Sequence, residues 1–599
     1  MMERYQKAMG RIHAPADTKK KLFGSTTRPR RSVFARVLPV AACLLLLAAG
    51  CVGLYFKEKT PALPTGQSYD NIYEAWFSNA GIQYDADGNA LTEGGSVAGG
   101  GSSSSGGSGG TSALGHYETH MQTEGVLEPD IQKTDGQYLW RLSRNMLYTY
   151  RLAGEETELL EITPMPAECS SSYDMFLWED RLVVIGMSLA HDPYTCANLY
   201  EIDSDTGIPR LAETFWQSGI YENSRIVDGE LYLATRHLNY LLELPRKGDV
   251  LDIEIYIPRI AIGDKERLLK PEEIYLSEEA EIYAHYITFV VVSAIDLEEK
   301  WFDSSKAVLC SAYDFYASAE NIYLFAYGPD FSTNILCFAM DEEDTILTAS
   351  GTVKGYILNQ FSVDEHDGYL RVATCVVDYY IAGIYAVTEY NAVYVLNKNL
   401  KVIGALEGIQ PDERILSARF SGDLCYLVTF HVTDPLFAVD LSNPRKPEIL
   451  SELKVTGFSS YLYEYGEGLL LGIGAEGTET GKLTGWKLSM FDVTDPDDVT
   501  EITNRFLSDQ KARAAIWYDH KNLMISEERN LIGIPLEEYQ LYAYDAEGKD
   551  FVLMGRYNLN GSYFRGTYAG KYCYVTSTMG LIAIDLESYE VVAEIDLTV

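Results

Sequence analysis

Two histidines four residues apart are the only close histidine pair in the sequence. His116 and His120, in the stretch HYETH, have the spacing that places two imidazoles on one face of a helix, as in zinc-binding HExxH motifs. Glu118 is not at the HExxH position, and the pair follows a run of Gly and Ser where no helix is expected. We therefore interpret both histidines as part of a solvated linker, without a metal.

Clustered carboxylates are the second group whose chemistry must be considered. The turns at residues 341–344 and 492–498 (DVTDPDD) hold oxygen ligands of the kind that Ca²⁺ prefers. The EF-hand spacing, with its Gly and terminal Glu, is absent, so we interpret both stretches as turns in which Asp bonds nearby backbone N–H groups. His431 and His520 fall in or near predicted strands and are interpreted as structural histidines.

Common catalytic motifs are missing from the sequence. No Walker-type GxxxxGK[ST] motif and no CxxC pair occurs, and no GxSxG motif occurs outside a low-complexity Gly/Ser run. We therefore assign no catalytic, cofactor-binding or metal-ligating residue, expect no cofactor, and predict that the chain is not an enzyme.

The net charge has opposite signs in the N-terminal 36 residues and in the rest of the chain. Residues 1–36 hold ten Lys or Arg and two acids, a net charge of +8, within a chain whose net charge is −39, so the remainder carries −47. A surface of that sign repels phosphate backbones, which argues against nucleic acid as a partner of the large part.

Between these parts, residues 37–56 (VLPVAACLLLLAAGCVGLYF) contain no charge over twenty positions. That length spans a bilayer as a helix, and the basic flank before it predicts a cytoplasmic N-terminus and an exported C-terminal part. The alternative is a lipoprotein signal, because small residues precede Cys51; cleavage there would leave Cys51 as the lipidated N-terminus.

The remaining N-terminal regions are predicted to be a head and a linker. The basic cytoplasmic head (1–36) contains a short predicted helix that could dock a cytoplasmic partner, or is a solvated tail. Residues 57–116 are predicted to be a flexible linker, irregular from 57 to 89 and rich in Gly and Ser from 94 to 115.

From residue 117 to residue 599 one unit recurs: an apolar strand that ends at Asp or Asn, a short turn, and another strand. The markers are Asp203, Asp296, Asp341, Asn397, Asp440, Asp492, Asp545 and Asp585. From Asp296 onward they are 40 to 56 residues apart, the size of a four-stranded propeller blade. With an initial unit at residues 130–162 there are nine candidate units, so we predict an all-β propeller of eight or nine blades, preceded by one transmembrane helix.

The third unit carries an insertion at residues 239–284, which we expect to shape one face of the ring. Seven cysteines lie outside the apolar segment, most of them within strand-like runs, and are interpreted as buried thiols. Only Cys169 and Cys196 lie near loop-like sequence, where a disulfide is conceivable.

Several stretches also resemble a known family. EGVLEPDIQKTDG (124–136), residues 417–474 and WYDHKNLMI (517–525) are similar to the bacterial and archaeal secreted proteins with a C-terminal β-propeller distantly related to WD40 repeats. Leu127 stands where that family has Asp, and Gln132 where an apolar residue is usual. The resemblance implies a membrane-tethered or secreted propeller and brings no catalytic residues.

Two functions from different classes remain. In the first, a membrane-anchored extracytoplasmic propeller binds a protein, a peptide or a cell-envelope polymer. In the second, it is an extracytoplasmic hydrolase or lyase that acts on glycans with carboxylates in the propeller channel. We expect the first, because no motif signals catalysis.

Overall fold

The computed structural model describes most of the chain after residue 62. The described residues are 63–79, 83–84, 90–91, 115–117, 119, 121–188, 193–240, 252–276, 286–310, 312–328, 331–341, 344–381, 384–430, 434–478, 482–509 and 519–597. The predictions for the head, for the apolar segment 37–56 and for Cys51 lie outside these residues. Within them, no helix is long and apolar enough to cross a membrane.

Nine large sheets follow one another along the described chain, and each contains an antiparallel four-stranded meander. The chain is therefore a nine-blade propeller, where the repeated markers predicted eight or nine blades. We name the strands of each blade A to D in chain order. The A strands are mostly buried, whereas the D strands alternate between exposed and half-buried residues, so A lines the central channel and D forms the rim.

The first three blades contain the two six-stranded sheets. Blade 1 consists of β4 (Gln132–Thr134), β5 (Tyr138–Ser143), β6 (Met146–Arg151) and β7 (Glu158–Pro164). Blade 2 consists of β8 (Ser171–Trp178), β9 (Arg181–Ser188), β10 (Tyr194–Ile202) and β11 (Pro209–Ser218). Blade 3 consists of β12 (Ile220–Val227), β13 (Glu230–Tyr240), β17 (Tyr286–Asp296) and β18 (Trp301–Leu309), with β3 (Val126–Leu127) added inside β12.

Blades 4 to 6 are plain four-stranded sheets. Blade 4 is β19 (Ala312–Ala317), β20 (Asn321–Tyr327), β21 (Ser332–Ala339) and β22 (Ile346–Lys354). Blade 5 is β23 (Val363–His366), β24 (Tyr369–Ile381), β25 (Ile384–Leu396) and β26 (Val402–Ile409). Blade 6 is β27 (Arg414–Ser421), β28 (Leu424–Phe430), β29 (Asp434–Asp440) and β30 (Glu448–Val455).

Blades 7 to 9 complete the ring. Blade 7 is β31 (Phe458–Glu464), β32 (Leu469–Gly477), β33 (Leu483–Asp492) and β34 (Thr500–Asp509). Blade 8 is β35 (Met524–Ser526), β36 (Leu531–Pro535), β37 (Tyr539–Asp545) and β38 (Asp550–Tyr557). Blade 9 is β39 (Arg565–Ala569), β40 (Tyr572–Ser577), β41 (Gly580–Asp585) and β42 (Val591–Asp596).

The Asp and Asn markers stand at the C–D turns of blades 2 to 9. In all seven of these turns that the structure describes without a gap, the marker's side-chain oxygen accepts a hydrogen bond from the backbone N–H two residues later, as at Asp296 (2.7 Å) and Asn397 (3.0 Å). At the A–B turn of blade 3, Asp228 and Gly229 both have positive φ (49° and 88°), which is the backbone of a tight hairpin. Local turn chemistry therefore explains why the unit can be recognised in the sequence.

Nine apolar clusters lie between neighbouring blades, one for each interface of the ring. The last of them packs Leu139 and Tyr150 of blade 1 against Tyr574 and Leu581 of blade 9. All four strands of each of these two blades come from one end of the chain. The ring therefore closes by side-chain packing and not by a shared sheet.

The insertion widens two blades at their outer edges. It holds the helix α2 (Ile253–Tyr256) and the strands β14 (Arg259–Ile262), β15 (Lys265–Leu268) and β16 (Ile274–Leu276). The first two strands extend blade 2 beyond β11, and β16 extends blade 3 beyond β18. The insertion thus adds strands to the rim. It connects strand B (β13) to strand C (β17) of blade 3, at the end of the ring opposite the A–B turns.

A helix precedes the Gly/Ser run, in a stretch that we expected to be irregular. α1 (Tyr69–Asn79) is followed by a small hairpin, β1 (Gln83–Tyr84) and β2 (Ala90–Leu91). Ile72, Tyr73 and Trp76 are buried in the core between blades 2 and 3. The chain before the helix adds to β16, with hydrogen bonds from Gly66 N to Ile274 O (2.8 Å) and from Leu276 N to Pro64 O (2.9 Å).

An apolar helix face in the sequence explains why α1 forms. Tyr69, Ile72, Tyr73 and Trp76 have the i, i+3, i+4, i+7 spacing of an apolar helix face, and Ser68 Oγ accepts a hydrogen bond from Asn71 N (3.1 Å) at its start. Each large side chain that becomes buried contributes about 1.5–3 kcal/mol. Residues 63–79 are therefore anchored to the propeller, and the Gly/Ser run connects two anchored segments.

This anchoring predicts what happens when the Gly/Ser run is cut. After limited proteolysis of the purified protein within residues 94–115, the N-terminal fragment should stay bound to the propeller, because the burial of Ile72, Tyr73 and Trp76 still holds it. Size-exclusion chromatography followed by denaturing gels measures retention. In the variant Trp76→Ala the fragment should separate, and in the control Glu74→Ala, on the exposed side of α1, it should not. Immediate separation in the wild type would contradict the anchoring.

Candidate functional site

The chain between the Gly/Ser run and β4 crosses the channel of the ring. We call residues 115–131 the channel segment; the structure describes all of them except 118 and 120. It begins beside blade 9, where Tyr117 N donates to Tyr568 O (3.0 Å). It then contacts blade 5 through Gln122 Nε2, which donates to Val363 O (3.0 Å), before it pairs with β12 of blade 3 as β3.

The channel segment ends on blade 2 and continues into blade 1. Asp130 and Met175 of β8 exchange backbone hydrogen bonds, each 2.9 Å long. The same short stretch therefore touches blades 9, 5, 3 and 2, which are far apart in the sequence. EGVLEPDIQKTDG (124–136), one of the three stretches that carry the family resemblance, lies largely inside this segment.

An arginine on the inner strand of blade 9 holds the end of this segment. Arg565 is 4 % exposed; its Nε donates to Asp130 Oδ1 (2.9 Å) and its Nη2 to Asp519 Oδ2 (2.5 Å). Burial alone would lower the pKa of the guanidinium, but the two carboxylates outweigh it and raise that pKa. Asp519 precedes blade 8, so Arg565 joins the channel segment, blade 8 and blade 9.

A second buried arginine holds the segment from the other side of the channel. Glu128, 2 % exposed, lies 3.7 Å from Arg225 of β12, measured from Oε2 to Nη2. Its Oε1 accepts hydrogen bonds from Gln122 N (3.1 Å) and from Gln360 Nε2 (3.2 Å). Arg225 Nη2 also donates to Gln360 Oε1 (2.6 Å), which links blade 3 to blade 5. The Oε2 atom of Glu128 accepts no hydrogen bond from any described residue.

A cavity of about 460 Å³ opens between the channel segment and blades 9, 1 and 2. Its wall includes Asp135 of the A–B turn of blade 1 and Trp178 and Glu179 at the A–B turn of blade 2. The cavity therefore lies at the A–B end of the ring, opposite the connection that carries the insertion. Its apolar wall is formed by Leu127, Phe176 and Leu177, and its polar wall by Glu128, Asp130, Gln132, Lys133, Thr134 and Thr567.

Lys133 is the cationic side chain of this wall. Its Nζ donates to Thr119 Oγ1 (2.6 Å) and to the backbone oxygen of Glu128 (2.7 Å), both of which are neutral acceptors. Burial lowers the pKa of this amine to about 8, despite the nearby charge of Asp130. Near neutral pH Lys133 is thus a partly buried ammonium whose hydrogen-bonded neighbours do not balance its charge.

A different group of polar side chains lies toward the opposite end, where the inner strands of blades 3 and 4 begin. Burial raises the pKa of Asp314 on β19 to about 7, and the charge of Glu222 on β12 acts in the same direction. Burial also raises the pKa of Glu222, although Arg236 Nε lies 2.8 Å from its carboxylate. Tyr327, 47 % exposed, stacks on Tyr313 with ring centroids 4.3 Å apart. The group combines two carboxyls with an aromatic surface.

The histidines singled out by spacing do not form a site in the described residues. We expected His116 to be solvated, and this prediction was wrong. The residue is only 7 % exposed, because its ring packs against Gly136 at the edge of the cavity. His120 and His431 lie outside the described residues, and His520 is buried against Phe361 and Tyr461. Within the part of the chain that the structure describes, no group of His, Cys, Asp or Glu is arranged to hold a metal ion.

Other sequence signals have structural explanations. Residues 492–498 form a C–D turn in which Asp492 and Asp495 accept backbone hydrogen bonds. The run GIGAEG at 472–477, which has the GxGxxG spacing of dinucleotide-binding loops, is the interior of β32 and not a turn before a helix. Cys169 and Cys196 form a disulfide within blade 2, whereas Cys310, Cys337, Cys375, Cys425 and Cys573 are free and buried.

Sequence reasoning missed the side chains that build the cavity. Glu128, Asp130 and Lys133 all lie in the quoted motif EGVLEPDIQKTDG, so their position was marked, but their partners Arg225 and Arg565 carry no local signal. Of the two departures from the family pattern, Leu127 is part of the cavity wall and Gln132 Oε1 accepts a hydrogen bond from Thr576 of blade 9. Both residues therefore belong to the wall of the cavity.

Comparison with known proteins identifies the family. The model of the beta propeller domain matches residues 116–580, which include the channel segment and all but the end of blade 9. The chain belongs to the beta propeller domain family. An uncharacterized protein of Archaeoglobus fulgidus is 27 % identical over 570 residues, 81 % of this chain and 86 % of that protein. An uncharacterized protein of Methanocaldococcus jannaschii is 25 % identical over 558 residues, 80 % of this chain and 83 % of its own length.

The solved structures that resemble this chain do so with low TM-scores and low sequence identity. A putative 6-phosphogluconolactonase from Bacteroides uniformis gives a TM-score of 0.33 at 15 % identity, with 51 % of this chain and 91 % of that chain covered. The periplasmic gluconolactonase of Pseudomonas aeruginosa gives 0.32 at 12 % identity, with the same shares covered.

The buried arginine network predicts a large effect of losing its cation. Arg565→Met leaves Asp130 and Asp519 without their partner, so the free energy of unfolding should fall by about 3–5 kcal/mol, measured by urea titration. The control is Arg505→Met, because Arg505 is 45 % exposed and lies 3.7 Å from Asp550; it should change stability by less than about 1 kcal/mol. Equal effects of the two substitutions would show that the network does not hold the ring.

The raised pKa of Asp314 predicts a pH-dependent effect on stability. The folded state favours the protonated carboxyl, so Asp314 costs stability as pH rises from about 4, its unfolded value, to about 7. Asp314→Asn should therefore stabilise the protein by roughly 4 kcal/mol at pH 8, and this gain should disappear toward pH 4. Urea titrations at both pH values measure it. The exposed control Asp497→Asn should show no such trend, and a pH-independent gain at Asp314 would contradict the assignment.

Proposed function

We propose that the chain is a membrane-anchored extracytoplasmic binding module whose ligand occupies the cavity beside the channel segment. The observation that carries this proposal is the cavity itself. Its volume of about 460 Å³ falls within the range of specific ligand sites, and it combines an apolar wall with a few buried polar groups. The bound group is a small molecule, or the end of a peptide, a protein segment or an envelope polymer.

The charge of the chain and the disulfide support the exported location. The +8 head before the apolar segment 37–56 favours a cytoplasmic N-terminus, and a disulfide such as Cys169–Cys196 persists in oxidising surroundings outside the cytoplasm. We keep a lipid anchor at Cys51 as the alternative to a spanning helix. Protease added to intact cells should cut within residues 94–115; a chain that is cut only after lysis would contradict export.

Ligand binding at the cavity can be tested by filling it. The full-length protein in detergent would be screened by thermal shift against a panel of amino acids, sugars, nucleosides and organic acids. A ligand of the cavity should raise Tm in the wild type but not in Leu127→Trp, whose larger ring occupies the apolar wall. The matched control Leu211→Trp, at a residue 49 % exposed, should keep the shift. A ligand that stabilises both variants equally binds elsewhere and contradicts the proposal.

Asp314 and Glu222 favour a second candidate, the glycan hydrolase or lyase. Such enzymes need one carboxyl that stays protonated near neutral pH, and the pKa of about 7 at Asp314 meets that need. The exposed face of Tyr327 beside them offers a surface on which a sugar ring can stack. A panel of glycans incubated with the wild type, Asp314→Asn and Asp497→Asn decides: turnover lost only in Asp314→Asn would establish the enzyme, and no turnover in the wild type would exclude it.

A further inference from the structure

A short loop joins the last strand of blade 8 to the first strand of blade 9. We call residues 558–564 the closing loop, because its partners lie on blades 9 and 1. The backbone oxygen of Asn560 accepts a hydrogen bond from Ser577 Oγ (2.5 Å). Ser562 and Thr578 share two bonds, from Ser562 N to Thr578 Oγ1 (3.1 Å) and from Thr578 N to Ser562 O (3.0 Å). The closing loop is thus held against the B–C turn of blade 9.

The same loop also contacts blade 1. Arg141 of β5 is 1 % exposed, and its Nη2 donates to the backbone oxygen of Tyr563 (2.5 Å). The Nε and Nη1 atoms of Arg141 have no hydrogen-bond partner among the described residues. The next residue but one after Tyr563 is Arg565, which bonds Asp130. The position of the closing loop therefore affects the junction at which blade 9 meets blade 1.

The turn at the start of this loop requires glycine at position 561. Gly561 has a φ of +105°, in the region that favours glycine. A Cβ at this position would lie 2.9 Å from atoms of Met579, Ser577 and Thr578. The backbone N–H of Gly561 donates to no described residue, and no side chain on this residue shields it. The fold therefore places an unhindered backbone nitrogen directly after Asn560.

Asn560 presents a free amide to that nitrogen. The residue is exposed, and its side-chain amide bonds no described residue. Asn560 and Gly561 are also the only Asn-Gly pair in the 599-residue sequence. A backbone nitrogen can attack the side-chain carbonyl of the asparagine before it, because this closes a five-membered ring. The reaction is least hindered where the attacking residue has no side chain.

We propose that Asn560 and Gly561 form a self-modifying site whose reaction loosens the closure of the ring. Gly561 N gives up its proton and attacks Cγ of Asn560; the Cγ–Nδ2 bond breaks and ammonia leaves, which produces a cyclic imide. Water then opens the imide at one of its two carbonyls, so that aspartate or isoaspartate remains at position 560. Water is the only co-reactant, so the reaction goes beyond the proposed function and depends neither on the ligand nor on export.

The isoaspartate product changes the path of the closing loop. It lengthens the main chain by one carbon between positions 560 and 561, while the loop is held by Ser577 and Thr578 on one side and by Arg141 on the other. The added carbon displaces these contacts. Without Tyr563 O, the buried guanidinium of Arg141 has no hydrogen-bond acceptor among the described residues, and a buried charge that loses its partner is destabilising.

A single tryptic peptide contains both the site and its control. Cleavage after Arg556 and Arg565 releases residues 557–565 (YNLNGSYFR), in which Asn558 is also exposed but is followed by Leu559. The full-length protein in detergent would be aged at mildly alkaline pH in water labelled with oxygen-18, so that only oxygen gained during ageing is counted. By mass spectrometry, Asn560 should convert at least about tenfold faster than Asn558, because the side chain of Leu559 hinders the same ring closure.

Urea titration of the aged protein measures the effect on closure. The urea midpoint of the wild type should fall in proportion to its isoaspartate content. Aged Asn560→Gln should keep its midpoint, because the longer side chain would have to close a six-membered ring. The matched control Asn558→Gln should lose stability on ageing as the wild type does. Freshly purified Asn560→Asp has the new charge on a normal main chain and should match the fresh wild type.

Three outcomes would overturn the proposal. The first is conversion at Asn560 that is no faster than at Asn558. The second is a glycan on Asn560 in protein isolated from its own cells, because residues 560–562 (NGS) also match the N-glycosylation pattern and a glycosylated amide is not free to react. The third is isoaspartate at position 560 without any change in the urea midpoint, which would separate the reaction from ring closure.

Discussion

The rest of the structure depends on the buried contact between Arg565 and Asp130. A ring of nine blades has a wide centre, and its ends meet here without a strand shared between blade 9 and blade 1. Arg565 lies on the innermost strand of the last blade and donates a hydrogen bond to Asp130 of the channel segment, just before the first blade begins. It also donates to Asp519, which precedes blade 8. The contact thus joins both ends of the ring to the chain that fills its centre.

Glu128 and Asp130 show how a short motif can serve opposite sides of a channel. One carboxylate faces Arg225 of blade 3 and the other bonds Arg565 of blade 9, with Pro129 between them to keep the backbone out of a helix. Buried ion pairs add little net stability compared with apolar packing, but a lost partner is costly. These two ion pairs therefore act mainly by selecting one path of the channel segment through the ring.

Local signals in the sequence were enough for the blades but not for the channel. Each Asp or Asn marker acts on backbone two residues away, so the C–D turns, the number of units and the four-stranded blade could be predicted. The helix α1 also had its pattern in Tyr69, Ile72, Tyr73 and Trp76, although the stretch was expected to be irregular. By contrast, Asp130 and Arg565 are 435 residues apart, and no spacing rule connects them. The cavity is lined by residues from equally distant parts of the chain, so it could not be predicted from the sequence either.

The position of the cavity links binding to closure of the ring. Its wall takes Thr567 from blade 9, Lys133 from blade 1, Phe176 from blade 2 and Glu128 from the channel segment. A ligand that touches all four binds the closed ring and not an opened one, so it stabilises closure in proportion to ln(1 + [L]/Kd). Glu128 and Asp130, which hold the segment in place, are also part of that wall. The residues that close the ring therefore shape the site, and occupancy of the site in turn favours the closed ring.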